Sequence, residues 1–373
     1  MMQNNHVRLG DYIRPYDERN VNEKDLPVLG INIQKQFMPT AANLNEVDLS
    51  KYKIVKKNAF VFSGMQTGRD VCIRIALYTE DTEALVSPAY TTFVVDEKQG
   101  MLSEYLFIFF SREESDRYGW FISDSSIRAN LDWNRFENIQ IPLPSIEKQR
   151  EIVAVWKSLR RLKEENEKIA EPLMAMCRSK IQELKNTMPL MALAEYIEQS
   201  DERNTDNLYS EKDVRGLATS KEIILTKANL EGVSLSSYML FKPQQFAYVP
   251  DTSRRGDKVS MAFNDSSKTY LVSSISNVFE VKKPNKLLPS YLFLFFKRTE
   301  FDRYARFNSW GSAREAFSWE EMKRVKIPVP PIKVQQAIVD FYECAQRAKT
   351  IAAEADRQLK TICPALIQYV KHN

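Results

Sequence analysis

The apolar positions of this chain follow two different rhythms, and the rhythms alternate. From Ile152 the seam Ile152, Val155, Leu159, Leu162, Asn166, Ile169, Leu173, Met176 steps by three and four residues in turn. From Ile338 the series Ile338, Phe341, Ala345, Ala348, Ala352, Ala355, Leu359, Ile362, Leu366, Tyr369 does the same without a break. Lys, Arg, Glu and Gln fill most positions between. Alternating steps of three and four mark the a/d seam of a coiled coil. Two such helices in one chain can satisfy each other. Packed antiparallel, the small Ala345 and Ala352 would face the bulkier Ile152, Leu159, Leu162, Ile169 and Leu173, with Leu359, Ile362 and Leu366 completing the seam. Asn166 interrupts it, either fixing register or lying at a solvated edge. Pro172 and Pro364 lie inside the two patterns and should kink or interrupt them.

Ahead of each helix the rhythm is that of short strands. Residues 27–33, 59–63, 73–78 and 91–95 are rich in β-branched and aromatic residues and are separated by polar turns, as are residues 223–226, 245–249, 259–263 and 277–281. Leu9, Tyr12 and Ile13 mark a short helical turn before the first set. Residues 105–110 (YLFIFF) and 291–296 (YLFLFF) read as buried core helices that continue outward through residues 111–118 and 297–304, both of which contain Asp-Arg-Tyr. A Pro-rich phrase then leads into each long helix, IQIPLPSIEKQREIV at 139–153 and VKIPVPPIKVQQAIV at 325–339. Its prolines exclude helix interior, so it is an extended strap.

From residues 59–63 onward these echoes share one offset of 186 residues, half the chain. The protein is a duplicated unit, globule then helix, twice over. The expected class is α+β: two pseudo-repeated mixed α/β domains at 1–144 and 188–330, separated by long helices at 145–187 and 331–373 packed as an antiparallel coiled coil.

Composition narrows the function. Hydrophobic residues are 43% and charged residues 27% of the 373, which is ordinary for a soluble protein, and no stretch approaches the roughly 20 apolar residues of a membrane span. The start has no leader-like pattern, and Cys72, Cys177, Cys344 and Cys363 show no metal-ligand spacing, so a reducing, cytoplasmic setting is expected. The net charge of +4 permits a polyanionic partner without requiring one. Only two histidines occur, His6 and His372, and no phosphate-binding, dinucleotide, zinc-protease or nucleophile-elbow motif is present. Neither a catalytic residue nor a metal ligand is nominated.

The loops carry the better candidates. Gln66 and Arg69 in the first copy, and Arg254, Arg255 and Lys258 in the second, occupy matching polar stretches between extended runs. Arg128 and Arg314 match in a later loop. Arginine can fork onto a guanine edge or clamp a phosphate, and glutamine can pair with adenine. Solvated surface charge is the competing reading for each of them. Most of 32–68 differs from 218–254, while the straps and helices agree. Two copies of one frame with two different readers would suit an asymmetric, two-part target.

The duplicated Pro-rich phrases, each opening a long helix after a diverged globule, resemble the specificity subunits of type I restriction-modification systems over nearly the whole chain. Lys148-Gln149 and Val334-Gln335 stand where that family has Glu-Gln. The resemblance implies two target-recognition domains, each reading one half of a split double-stranded DNA site, with helices that set the spacer and dock two modification subunits. Those partners would bind S-adenosylmethionine and methylate adenine at N6, and two restriction/translocase subunits would add ATP- and Mg-dependent cleavage. This chain would bind no cofactor and catalyse nothing. The recognition subunit of a combined methyltransferase-nuclease system would look the same, and a coiled-coil scaffold joining two protein-binding domains is the alternative of a different class.

Overall fold

The computed structural model describes residues 6–372 except 46, 66, 125, 127–128, 253–257 and 312–313, and leaves the side chains at 363 and 368–372 undescribed. The chain divides into two compact units, 1–166 with 350–373, and 167–349.

In the first unit the strands are β1 His6–Arg8, β2 Ile13–Tyr16, β3 Val28–Ile31, β4 Phe37–Pro39, β5 Lys53–Val55, β6 Ala59–Ser63, β7 Arg74–Leu77, β8 Ala84–Val86, β9 Thr91–Val95 and β10 Gln140–Pro142. The helices are α1 Thr67–Asp70, α2 Ser103–Phe110, α3 Glu113–Phe121 and α4 Trp133–Glu137, with α5 Ile146–Thr187 beginning here. An antiparallel sheet runs β2-β9-β6-β7, and a mixed one runs β4-β3-β8-β5. The strap is itself a strand, because β10 pairs antiparallel with β1, Val7 opposite Ile141.

The second unit holds β11 Leu190–Ala192, β12 Ile197–Ser200, β13 Arg215–Leu217, β14 Ile223–Leu225, β15 Met239–Phe241, β16 Phe246–Tyr248, β17 Met261–Phe263, β18 Tyr270–Val272, β19 Asn277–Val281 and β20 Lys326–Pro328. Its helices are α6 Pro289–Phe296, α7 Thr299–Phe307 and α8 Trp319–Arg324, and α9 Ile332–His372 begins here. The sheet β12-β19-β16-β17 repeats the order of the first. The mixed sheet recurs as two two-stranded pieces, β13-β14 and β15-β18, and the parallel bridge Val214 to Leu271 stands where Val28 pairs with Leu85, so the order β14-β13-β18-β15 matches β4-β3-β8-β5.

The cores share a stacked pair at their centres. Phe60 stacks on Phe93 at 4.8 Å in the first unit, and Phe246 stacks on Phe279 at 4.9 Å in the second, the same pairs at the 186 offset. Offset-stacked aromatics at this spacing add to the burial of their area. The apolar runs at 105–110 and 291–296 form α2 and α6, buried on most sides. They do not continue into the polar stretches as the sequence led us to expect. Arg112 and Arg298 are extended and start new helices, α3 and α7. At the first break, the Phe109 carbonyl accepts from Ser115 Oγ at 2.6 Å and Arg112 Nε at 3.1 Å. Side chains supply partners at the break, so the turn leaves little unsatisfied.

Each unit contains the start of one long helix and the end of the other. In the first, Ile152 and Val153 of α5 and Ile367 of α9 enter the core, with Leu159, Leu359 and Leu366 packed against it. Lys163 Nζ meets Asp356 Oδ1 at 2.6 Å across the pair. In the second, Cys177, Ile181 and Leu184 of α5 join Ile338 and Val339 of α9. Start beside end in each unit makes the pairing antiparallel. α5 and α9 continue through Pro172 and Pro364 as single helices.

The buried face of α5 is shifted from the seam proposed above. Ala170 and Cys177 are buried and Trp156 is packed, whereas Val155, Leu162, Ile169 and Met176 are exposed, as is Ile362 on α9. Leu173 is half-buried; Ala345, Ala348, Ala352 and Ala355 are buried. Asn166 is half-buried, and its side-chain amide donates to Leu162 O of its own helix at 2.8 Å. Among the described residues no helix is long and apolar enough to cross a membrane.

Candidate nucleic-acid interface

In each unit the two loops carrying the candidate arginines are fastened together by main-chain hydrogen bonds. In the first, Gly68 N donates to Ala129 O at 3.0 Å and Leu131 N to Gly64 O at 2.8 Å. The approach requires glycine at 64, because a Cβ there would meet Leu131 O at 1.8 Å. In the second, Thr252 N donates to Glu315 O at 3.1 Å and Phe317 N to Pro250 O at 2.8 Å. Thr252 Oγ1 also donates to the buried Ser309 Oγ at 2.9 Å. Gly311, at φ 140°, closes this loop in a conformation L-residues avoid.

Arg69 lies on α1, largely exposed, with Nε 3.1 Å from Asp70 Oδ1. Asp70 also pairs with Arg74. Burial raises the Asp70 carboxyl, but its bonds to Arg69 and Arg74 outweigh this and hold it below the usual carboxylate range. It stays ionised and orients Arg69 from one side. Lys258 and Arg314 are exposed on their loops. Beside Arg314, Glu315 is taken up by Arg306. Gln66, Arg128, Arg254 and Arg255 lie outside the described residues.

Behind each loop pair is a buried ionic bracket. Lys35 Nζ donates to Ile73 O at 2.8 Å and to Asp116 Oδ1 at 2.6 Å, and the same carboxylate oxygen accepts from Ile73 N at 2.9 Å. In the second copy Lys221 Nζ donates to Val259 O at 2.7 Å and to Asp302 Oδ1, which accepts from Val259 N at 3.0 Å. Each member is displaced by 186 residues. The lysine side chains are 6% and 4% exposed. Burial pulls Lys221 below the ordinary lysine value, against the opposing pull of Asp302. Both lysines sit at positive φ, 61° and 67°, in matching turns closed by Lys35 N to Asn32 O and Lys221 N to Ala218 O. A non-glycine residue there costs on the order of 1 kcal/mol, which the bracket must offset. Thus the turn after β3 or β13, the end of the first candidate loop, and the helix α3 or α7 meet at one point.

A second repeated anchor fixes the strap. Gln149 is fully buried at the start of α5, donating to Gly100 O and Pro144 O at 2.7 and 2.9 Å and accepting from Leu102 N at 2.9 Å. Gln335 makes the same set with Lys286 O, Pro330 O and Leu288 N. Tyr105 and Tyr291 donate to Pro142 O and Pro328 O.

Sequence reasoning found the loops, the straps and Asp-Arg-Tyr, and missed the brackets. A signal was available, since Lys35 and Lys221 align inside stretches that differ at most positions. Among the described residues no group of three or more His, Cys, Asp or Glu side chains is placed to hold a metal ion.

The model of the type I restriction modification DNA specificity domain matches residues 10–173 and again 253–360. Among solved structures, the S subunit of a type I restriction-modification system from M. genitalium is similar at a TM-score of 0.59 with 13% identity, covering 99% of this chain and 97% of that one. The HsdS subunit from Thermoanaerobacter tengcongensis is matched at a TM-score of 0.40 with 16% identity, over 98% and 95% of the two chains. None of the curated proteins compared with the chain matches it. With well over half its length matched by one family model in two successive passes, this chain belongs to the type I restriction modification DNA specificity family, whose members recognise DNA and leave catalysis to other subunits.

Proposed function

We propose that this chain reads a double-stranded DNA target in two different halves, one per globular domain, and positions two adenine-N6 methyltransferase subunits on it. Domains 1–144 and 188–330 are the readers. Helices 145–187 and 331–373 are the spacer and docking elements, and helices of 42 and 41 residues extend about 60 Å each at 1.5 Å per residue. Gln66, Arg69 and Arg128 are the candidate contacts to one half-site, and Arg254, Arg255, Lys258 and Arg314 to the other. S-adenosylmethionine belongs to the modification subunits. ATP and Mg belong to restriction subunits where the system has them. The setting is the cytoplasm.

The observation that carries this reading is the pairing of a repeated mount with unrepeated loops. Lys35–Asp116 and Lys221–Asp302 are the same device, yet the loops they brace, 64–72 and 250–258, share little sequence beyond Arg69 and Arg255. A shared mount under unlike surfaces is what two different half-sites demand.

Adenine-methylation mapping tests it. Genomic DNA from a host expressing this chain with its neighbouring methyltransferase should gain one motif with two short, unlike halves and a fixed gap, absent when this chain is omitted. An active methyltransferase with no change in motif overturns the reading.

A further inference from the structure

Asp-Arg-Tyr is part of a longer repeat, Asp-Arg-Tyr-x-x-Phe, at 116–121 and 302–307. Its aspartates turn inward, into the brackets. Its phenylalanines do the opposite. Phe121 ends α3 and is 83% exposed; Phe307 ends α7 and is 80% exposed. A ring held in water forgoes burial that a large apolar side chain normally gains on folding. Single exposed apolar residues are common. The same residue exposed to the same extent at equivalent positions of two diverged helices is not explained by that.

The arginine of the repeat joins it. Arg117 and Arg303 lie four residues before Phe121 and Phe307, and both are exposed. Residues four apart share a helix face, with Cβ atoms about 5–6 Å apart. That separation lies between one and two base steps of about 3.4 Å. A guanidinium beside a solvated ring fits a phosphate beside a base stack.

Both pairs adjoin the candidate loops. A Cβ on Gly68 would lie 3.3 Å from the Trp120 ring, so the residue before Phe121 rests on the α1 loop. Ser309, two residues beyond Phe307, is bonded to Thr252 of the other loop. The bracket fixes the opposite end of each helix, giving the ring a rigid mount.

We propose that Arg117 with Phe121, and Arg303 with Phe307, form one phosphate-and-base-stack contact in each half-site, the ring pressing against or between bases at the edge of the site. This rests on the two-reader function proposed above. The contact tolerates any base, because every base offers a π-face, and it fixes the register in which the loops read.

The test uses the chain assembled with its methyltransferase and duplexes carrying the mapped motif. 2-Aminopurine is placed in turn through each half-site. Wild type should raise its fluorescence at one position per half. Phe121→Ala should abolish the rise in one half only, Phe307→Ala in the other, and each should weaken binding by about 5- to 100-fold. Phe121→Trp should keep both signal and affinity. Arg117→Ala should lower the slope of log affinity against log salt by about one. Alanine variants that assemble and match wild type in affinity and fluorescence overturn the proposal. So does loss of the methyltransferase from purified Phe121→Ala complex, which would assign the ring to a protein contact. If wild type discriminates no base in either half, the two-reader function itself fails.

Discussion

Replacing Lys35 by Met is the sharpest probe of the frame. The lysine is 6% exposed and Asp116 19%, and together they bind both main-chain groups of Ile73. Removing the ammonium leaves a mostly buried carboxylate with its Ile73 amide, and leaves the Ile73 carbonyl with only the weak Cys72 thiol donor at 3.5 Å. Breaking a buried pair from one side costs about 3–5 kcal/mol. The residual exposure of Asp116 places Lys35→Met near the lower end, at about 3 kcal/mol. Asp116→Asn should cost as much or more, because the charge it strands is the more deeply buried one. The double variant Lys35→Met/Asp116→Leu strands no charge and should cost less than the sum, with a coupling of at least about 2 kcal/mol. Native-state hydrogen exchange reads this site by site. Protection in β7 should fall by about 100-fold in Lys35→Met, at 1.36 kcal/mol per decade, while β17 in the second unit keeps its value. Lys221→Met should give the reverse. A loss below about 1 kcal/mol, a coupling near zero, or equal loss of protection in β7 and β17 would refute the reasoning.

Gln149→Leu orphans three part-buried main-chain partners, at the lower end of about 1–3 kcal/mol for each group left unsatisfied, so a loss of about 2–3 kcal/mol is expected in chemical denaturation; Gln149→Glu should do little better, since a carboxylate cannot donate to Gly100 O and Pro144 O. Gly64→Ala puts a methyl into Leu131 O and should loosen the 64–72 loop, seen as faster amide exchange at Gly68 and Leu131 with β9 unaffected. Hydrogen bonds from Lys163 and then Lys360 hold Asp356 below its ordinary carboxylate value, so its contribution is complete above the unfolded pKa near 4 and is lost as pH falls through the lower folded value. Asp356→Asn should therefore cost about 0.5–1 kcal/mol at pH 7 and nothing at pH 2, read from thermal melts of the helix signal; an equal cost at both pH values would exclude the ion pair as its source.

Much of the fold was legible because the chain states it twice. The straps, the YLF runs and the long helices fall at one offset, and local chemistry assigns each. The helix faces show where that legibility ends. Steps of three and four from Ile152 admit either Leu162 and Ile169 or Lys163 and Ala170, and hydropathy favours the first. The fold takes the second, because Lys163 has Asp356 to meet and Ala170 permits close packing. A partner almost 200 residues away decides a position that local pattern cannot. The brackets pose the same difficulty. Lys35 looks like a surface lysine until α3 brings Asp116 to it, and its positive φ has no signature in a Lys that could as well lie in an ordinary turn.

The brackets also bear on where a frame ends and a reader begins. Sequence similarity draws the frame around the straps and helices and leaves 32–68 and 218–254 to the readers. Yet Lys35 and Lys221 lie inside those stretches and lock onto α3 and α7. The frame therefore reaches into each reader at a buried point, while the surface around that point is free to change. Buried groups tolerate substitution only in matched sets, since an orphaned charge is costly, whereas an exposed loop residue is nearly neutral to stability. Two copies under that constraint keep the bracket, together with packed neighbours such as Phe60 and Phe246, and change at most other positions. That is the pattern across these two stretches, and it lets half-sites diverge without disturbing how either reader is mounted.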